Sequence, residues 1–136
     1  VGATGTAWTS YAPTWAGAVT VGNGTATGFK FALGKFQFFQ AKFVLGSTSS
    51  VGTAAATVTL PATGISTIML CCAARFYDDS ATKWWLAGVS TSTTVASLYQ
   101  VNTSSLNNRF DSVTSTAPFT WTTSDVLDIC GVYELA

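Results

Sequence analysis

The sequence predicts an all-β fold, an antiparallel sandwich of jelly-roll kind in a single domain, and three observations carry that expectation. No segment sustains a period of 3.6 residues over ten positions. About eight short stretches instead alternate apolar and polar residues, spaced near ten residues apart, as sandwich strands are. The third observation is composition. Of 136 residues, 37 are Ser or Thr, 12 are Gly and 13% are aromatic, while only 9% are charged. Ordinary soluble domains carry about 25% charge. Thr and aromatic residues suit a pleated, half-buried surface.

In chain order, residues 1–18 interleave Gly, Ala and Thr with Trp8, Tyr11, Pro13 and Trp15. They read as an extended arm pinned by aromatics, with the β-sandwich domain covering residues 19–136. Val19 and Val21 begin a short strand, and Gly22-Asn23-Gly24 is a tight-turn signal. The stretch from Phe29 to Leu60 holds six of the nine phenylalanines and forms the centre of the sheet. Phe29, Phe31 and Leu33 alternate with Lys30 and Ala32, which predicts a strand burying Phe29 and Phe31. After Gly34-Lys35, Phe39, Ala41, Phe43 and Leu45 share one face, with Gln40 and Lys42 on the other. Phe36 and Phe38 have the opposite phase, so the pattern slips at Phe38-Phe39. A β-bulge or burial of both faces would explain the slip. Ala56, Val58 and Leu60 resume the alternation after a polar turn at 46–52.

The second half continues in the same style. Ile65–Arg75 is apolar on both sides, Phe76–Lys83 reads as a loop, and Trp84–Val89 and Thr94–Val101 read as strands. Ser104–Arg109 is a polar loop, and Phe110 to Trp121 supply late strands and connections. Val126–Leu135 closes the chain, with Leu127, Ile129, Gly131, Tyr133 and Leu135 on one face. No run of 18 apolar residues suggests membrane insertion, and no basic n-region or apolar h-region suggests a signal peptide. Val1 in place of Met points to a trimmed start or a piece of something longer.

Composition also narrows function. Six basic and six acidic residues cancel, which leaves no field to attract nucleic acid. Without histidine, a general base would have to be a carboxylate, a lysine or a thiolate. Asp78 and Asp79 are adjacent and diverge on extended backbone, and Asp125 after Thr-Thr-Ser suits a turn or cap. The expectation is therefore no enzyme, no catalytic residue, no cofactor and no metal. Cys71, Cys72 and Cys130 are odd in number and lack metal-site spacing, so free thiols are expected. Tyr77, Asp78, Asp79, Lys83, Trp84 and Trp85 combine aromatics with polar groups, the chemistry that holds sugars. Two arrangements are open: Trp84 in the core with Trp85 on a neighbouring subunit, or a receptor or glycan contact through Tyr77, Asp78, Asp79, Trp84 and Trp85. Phe36, Phe38, Val44, Met69 and Val132 fall opposite the expected core set, as do Cys71 and Trp85. With only 12 charges available, so many apolar side chains predict burial against other copies of the chain.

Several phrases in order carry a resemblance: Pro13-Thr14-Trp15, then Val21-Gly22-Asn23-Gly24-Thr25, then Gly34-Lys35, Leu45 through Gly52, Val58-Thr59-Leu60-Pro61, Ala117 through Leu127, and Gly131-Val132-Tyr133-Glu134. Taken together they are similar to the C-terminal modules of bacteriophage and prophage tail-fibre and minor tail proteins, especially those of actinobacteria. The resemblance implies a jelly-roll-like homotrimer on the virion surface, made in the host cytoplasm and partnered by other virion proteins. A tail-fibre tip that meets the host surface is the first assignment, with a host cell-surface glycan left open as a partner through the aromatic cluster. A capsid decoration protein, of cement or head-fibre kind, is the alternative assignment. A free carbohydrate-binding lectin is the third.

Overall fold

The computed structural model of the chain describes residues 7–65, 71–104 and 109–136. Its ten strands are β1 (Thr9–Tyr11), β2 (Trp15–Thr20), β3 (Thr25–Leu33), β4 (Phe36–Val44), β5 (Ser50–Thr59), β6 (Cys71–Asp78), β7 (Lys83–Thr91), β8 (Val95–Asn102), β9 (Arg109–Asp111) and β10 (Val126–Glu134). Every pairing between them is antiparallel, and no helix occurs among the described residues. The all-β antiparallel expectation therefore holds. The two layers belong to one sheet, ordered β1-β3-β4-β10-β6-β7-β8-β5-β2, with β9 added beside β8. The sheet curls into a half-barrel. Trp15 of β2 thereby meets Phe43 of β4, six places away in the sheet, at a ring separation of 6.0 Å.

Residues 9–11 and 15–18, expected in an extended arm, belong to strands β1 and β2 of this sheet, and Trp15, Ala18 and Val19 are in its core. Around them the core collects Phe39, Ala41, Phe43, Phe76, Leu98, Leu127, Ile129 and Tyr133. The inward sets of β4 and β10 are those the alternation predicts. The expected loop at Phe76–Lys83 is shorter, because β6 runs on to Asp78 and β7 begins at Lys83. The first half of the expected strand Ile65–Arg75 falls on residues 66–70, outside the described residues.

Strand β3 overturns an expectation. It pairs with β4 so that Phe31 stands opposite Phe38 and Lys30 opposite Phe39. Cross-strand partners share a face, so the phenylalanines of β3 point outward with Phe38, and Phe29 is 41% exposed. Of the inward positions of β3, Ala26, Gly28, Lys30 and Ala32, only Gly28 is buried, and there the space is already taken. A Cβ at Gly28 would lie 2.6 Å from the Tyr11 ring, so β1 fills the space that a larger β3 residue would need. The slip at Phe38-Phe39 is neither a bulge nor a doubly buried strand. Register runs unbroken from Phe36 to Val44 against both neighbours. Gln37 takes the inward position, and its Nε2 donates to the carbonyls of Phe31 and Phe38, each at 2.9 Å. The register irregularity of the sheet lies elsewhere, between Gly17 and Val19 on β2.

Two polar links close the ends. At the lower end the Tyr133 hydroxyl accepts from the Ala62 N–H (3.1 Å) and donates to the Ala62 carbonyl (2.8 Å). Burial pushes the Tyr133 phenol up to about 12. At the upper end the turn expected at Gly22-Asn23-Gly24 forms, with the Gly24 N–H donating to Val21 at 2.9 Å. Gly22 is left-handed (φ 53°), and a Cβ on Gly24 would strike the Phe43 ring at 2.4 Å. The fully buried Asp125 bears out its expected turn role: it accepts from the N–H groups of Asp79 and Thr122, which ties the β6–β7 turn to the start of β10.

The register makes opposite demands on two phenylalanines. Phe43→Ala should cost about 3–5 kcal/mol, because the ring is fully buried in a packed core. Phe36→Ser on the outer face should cost about 1 kcal/mol or less in the dispersed chain. Denaturant unfolding of both variants checks the pair, and a larger loss at Phe36 would contradict the register.

Candidate functional site

Because β3, β4, β10, β6 and β7 are neighbours in one register, their outward side chains form rows across the strands. The uppermost row is Thr25, Val44, Val126, Tyr77 and Trp84. Below it run Thr27, Lys42, Asp128, Arg75 and Leu86, then Phe29, Gln40, Cys130 and Ala73. The next row is Phe31, Phe38, Val132 and Cys71, and Leu33, Phe36 and Glu134 complete the face. The second row is its charged one, carrying Lys42, Asp128 and Arg75. The lower rows are almost wholly apolar.

The upper rows frame a cleft of about 610 Å³ with Phe29 on one side and Trp84 on the other. Gln40, Lys42, Asp128, Arg75 and Tyr77 line it. Arg75 organises one wall. Its Nε and Nη2 both donate to Asp128 Oδ2 at 3.0 Å, and its guanidinium lies 3.9 Å from the centre of the Trp84 ring. Tyr77 braces the same indole at 4.6 Å between ring centres. Held this way, Trp84 is still 51% exposed. Among the described residues no carboxylate is within ion-pairing distance of the Lys42 ammonium. Asp128 directs its bonds to Arg75 instead. The cleft thus holds a rigid half-open indole, a free cation and several hydrogen-bonding groups.

The pleat divides the five residues expected to form a receptor contact. Tyr77 and Trp84 share the outer face and line the cleft. Trp84 is therefore not core. Asp78 and Trp85 have the opposite phase. Asp78 is buried, and its Oδ1 accepts from the Ser80 hydroxyl (2.7 Å) and the Ala81 N–H (3.0 Å). Trp85 approaches Phe119 at 6.1 Å. Asp79 is exposed beyond the end of the strand and engages Asp125 through its backbone. Thr27, Phe29, Gln40, Lys42, Arg75 and Asp128 are among the other lining residues, none of them expected there. Alternation places Lys42 and Gln40 outward, but their juxtaposition with Arg75 and Asp128 needs β10 between β4 and β6.

Of the residues expected at a subunit interface, Phe36, Phe38, Val44 and Val132 all face outward, and Met69 lies outside the described residues. Phe38 stacks on Phe31 at 4.4 Å with the rings 2° from parallel, and Trp8 meets Phe31 edge-on at 4.7 Å. Phe36 is 44% exposed and Leu33 50%. Beside them Trp8, Phe38, Cys71, Ala73, Cys130 and Val132 line a shallow apolar groove. All three cysteines are free thiols. Cys71 and Cys130 face outward, whereas Cys72 is half-buried, and burial followed by the neighbouring Cys130 and Cys71 pushes its thiol up to about 11.

No protein-family model, no curated protein and no solved structure matches this chain.

The bonds at Asp78 make acid stability a test of its role. The Ser80 hydroxyl, then the Ala81 N–H, hold its carboxyl below the ordinary 3.8. A carboxyl depressed in the folded state stabilises fully above its unfolded value and loses that contribution as pH falls through the folded one. Wild-type stability should therefore drop from near pH 4 downward more steeply than that of Asp78→Asn. Parallel slopes in acid unfolding curves would show that Asp78 does not act as the anchor of its turn.

Proposed function

We propose that this chain is a non-enzymatic structural protein of a bacteriophage virion surface, a self-associating module of tail-fibre or receptor-binding type. One observation carries the self-association: the stacked Phe31 and Phe38, with Leu33, Phe36, Cys71 and Val132, form a contiguous apolar outer face on a chain with only 12 charged residues. Contiguous apolar surface beyond a few hundred Å² marks an interface. A closed symmetric assembly covers such a face on every copy and leaves no open end for further growth. The threefold symmetry and the virion setting rest on the resemblance of the ordered sequence phrases to tail-fibre modules. The upper cleft with Trp84 is the part of the module offered to a receptor.

Light scattering at micromolar concentration should give about three times the chain mass of 14.2 kDa. The Phe36→Lys, Phe38→Lys double variant should shift the protein to monomer, since it places like charges on the face of every copy. Thiol labelling gives a second reading. Cys71 should react rapidly on dilution and slowly when assembled, while Cys72 stays slow throughout. A wild-type chain that remains monomeric contradicts the interface, and a dimer contradicts the threefold axis. Immunogold labelling of particles from the producing cells tests the setting. Gold at the tail supports the proposal, gold over the shell replaces it with capsid decoration, and unlabelled particles overturn it.

A further inference from the structure

We infer that the cleft between Phe29 and Trp84 binds an anionic glycan, a pyranose chain whose sugars carry a carboxylate. The inference rests on the receptor reading of this cleft and deepens it, while the observations that carry it are the cleft's own and not those of the lower apolar face.

Three properties of the cleft lead to this ligand class. The first is shape and surface. A space of about 610 Å³ bounded by an exposed phenylalanine and a half-exposed indole suits a flat ring with apolar C–H faces. The indole is already fixed, with Arg75 at 3.9 Å and Tyr77 at 4.6 Å, so little rotamer freedom is lost when a ligand stacks on it. The second property is the floor. Gln40 offers both donors and an acceptor, and Asp128 bonds to Arg75 through Oδ2 alone, which leaves Oδ1 to accept from a hydroxyl. Adjacent sugar hydroxyls are donors and acceptors at once, as such a floor requires.

The third property sets the charge. The charged row holds two cations and one anion, Lys42 and Arg75 against Asp128. Arg75 pairs with Asp128 through Oδ2, and among the described residues Lys42 has no carboxylate partner although Asp128 is its cross-strand neighbour. A neutral sugar would use the stacking and the floor but leave this ammonium to water. A sugar carboxylate seated over the charged row would pair with it. Nucleic acid is a poorer fit, since a phosphate chain needs a run of cations and the face has a single unpaired one in its charged row.

Chemical-shift titration of the ¹⁵N-labelled protein tests the inference with three probes: a hyaluronan tetrasaccharide, neutral cellotetraose and sialyllactose. At low salt the acidic sugars should bind about fivefold more tightly than cellotetraose, the size of one exposed ion pair. The preference should shrink as salt rises. Shifts should centre on the Trp84 indole N–H and on the backbone of Gln40, Lys42 and Asp128. Trp84→Ala should weaken every bound sugar about tenfold or more. Lys42→Gln should bring the acidic sugars to the level of cellotetraose while leaving the melting temperature unchanged. Both side chains are exposed, so both variants should fold. The affinity ratio of hyaluronan to sialyllactose then separates a uronate target from a sialate one. The inference is overturned if none of the three sugars shifts these resonances at millimolar concentration, if cellotetraose binds as well as the acidic sugars, or if the shifts map away from the cleft. None of those results bears on self-association or virion labelling, which stand on the lower rows and on the particles.

Discussion

The core, the apolar outer face and the cleft all depend on the register of β4 between β3 and β10. Phe39, Ala41 and Phe43 face inward, and one continuous ladder on each side keeps them there. A slip of one residue would exchange the faces. Gln40 and Lys42 would enter the core, and the floor of the cleft would disappear. The slip is opposed by several large terms at once, because Phe43 is fully buried against Trp15 and Phe39 packs edge-on against Tyr133 at 5.9 Å. Register is therefore specified most strongly where the half-barrel curls over β4.

The same constraint produces the outer face. Once Phe39 and Phe43 occupy the interior and Tyr11 fills the space beside Gly28, the remaining phenylalanines of β3 and β4 must point outward. Phe31 stacks on Phe38 and meets Trp8 edge-on, while Phe29 and Phe36 stay exposed. The charged row above them gives the face two chemistries: an apolar lower half suited to a second protein surface, and an aromatic, hydrogen-bonding upper half suited to a small polar ligand. Phe29 borders both halves.

Much of the fold was legible in the sequence, wherever the two-residue period carried a single meaning. Leu127, Ile129 and Tyr133 mark the inward face of β10, and the glycines of Gly22-Asn23-Gly24 mark its turn. Strand β3 was not legible in this way. Phe29, Phe31 and Leu33 alternate as cleanly as a core strand does, and only the partner strand decides which face is inside. The apparent slip at Phe38-Phe39 has the same origin, since Gln37 is the polar residue turned inward and its amide is satisfied by two carbonyls. The receptor cluster was half legible. Tyr77 and Trp84 are near in sequence and face one another across a hairpin, whereas Lys42, Arg75 and Asp128 come from three strands that only the sheet order brings together. Polar contacts of that kind leave no local pattern.

The register can be measured directly from nuclear Overhauser contacts between α-protons and amide protons of facing residues. In the register described, cross-strand contacts put Phe38 opposite both Phe31 and Val132, and Leu127 opposite both Phe43 and Phe76. Contacts displaced by one residue, with Phe31 opposite Phe39, would turn the aromatic face inward and contradict both the interface and the cleft.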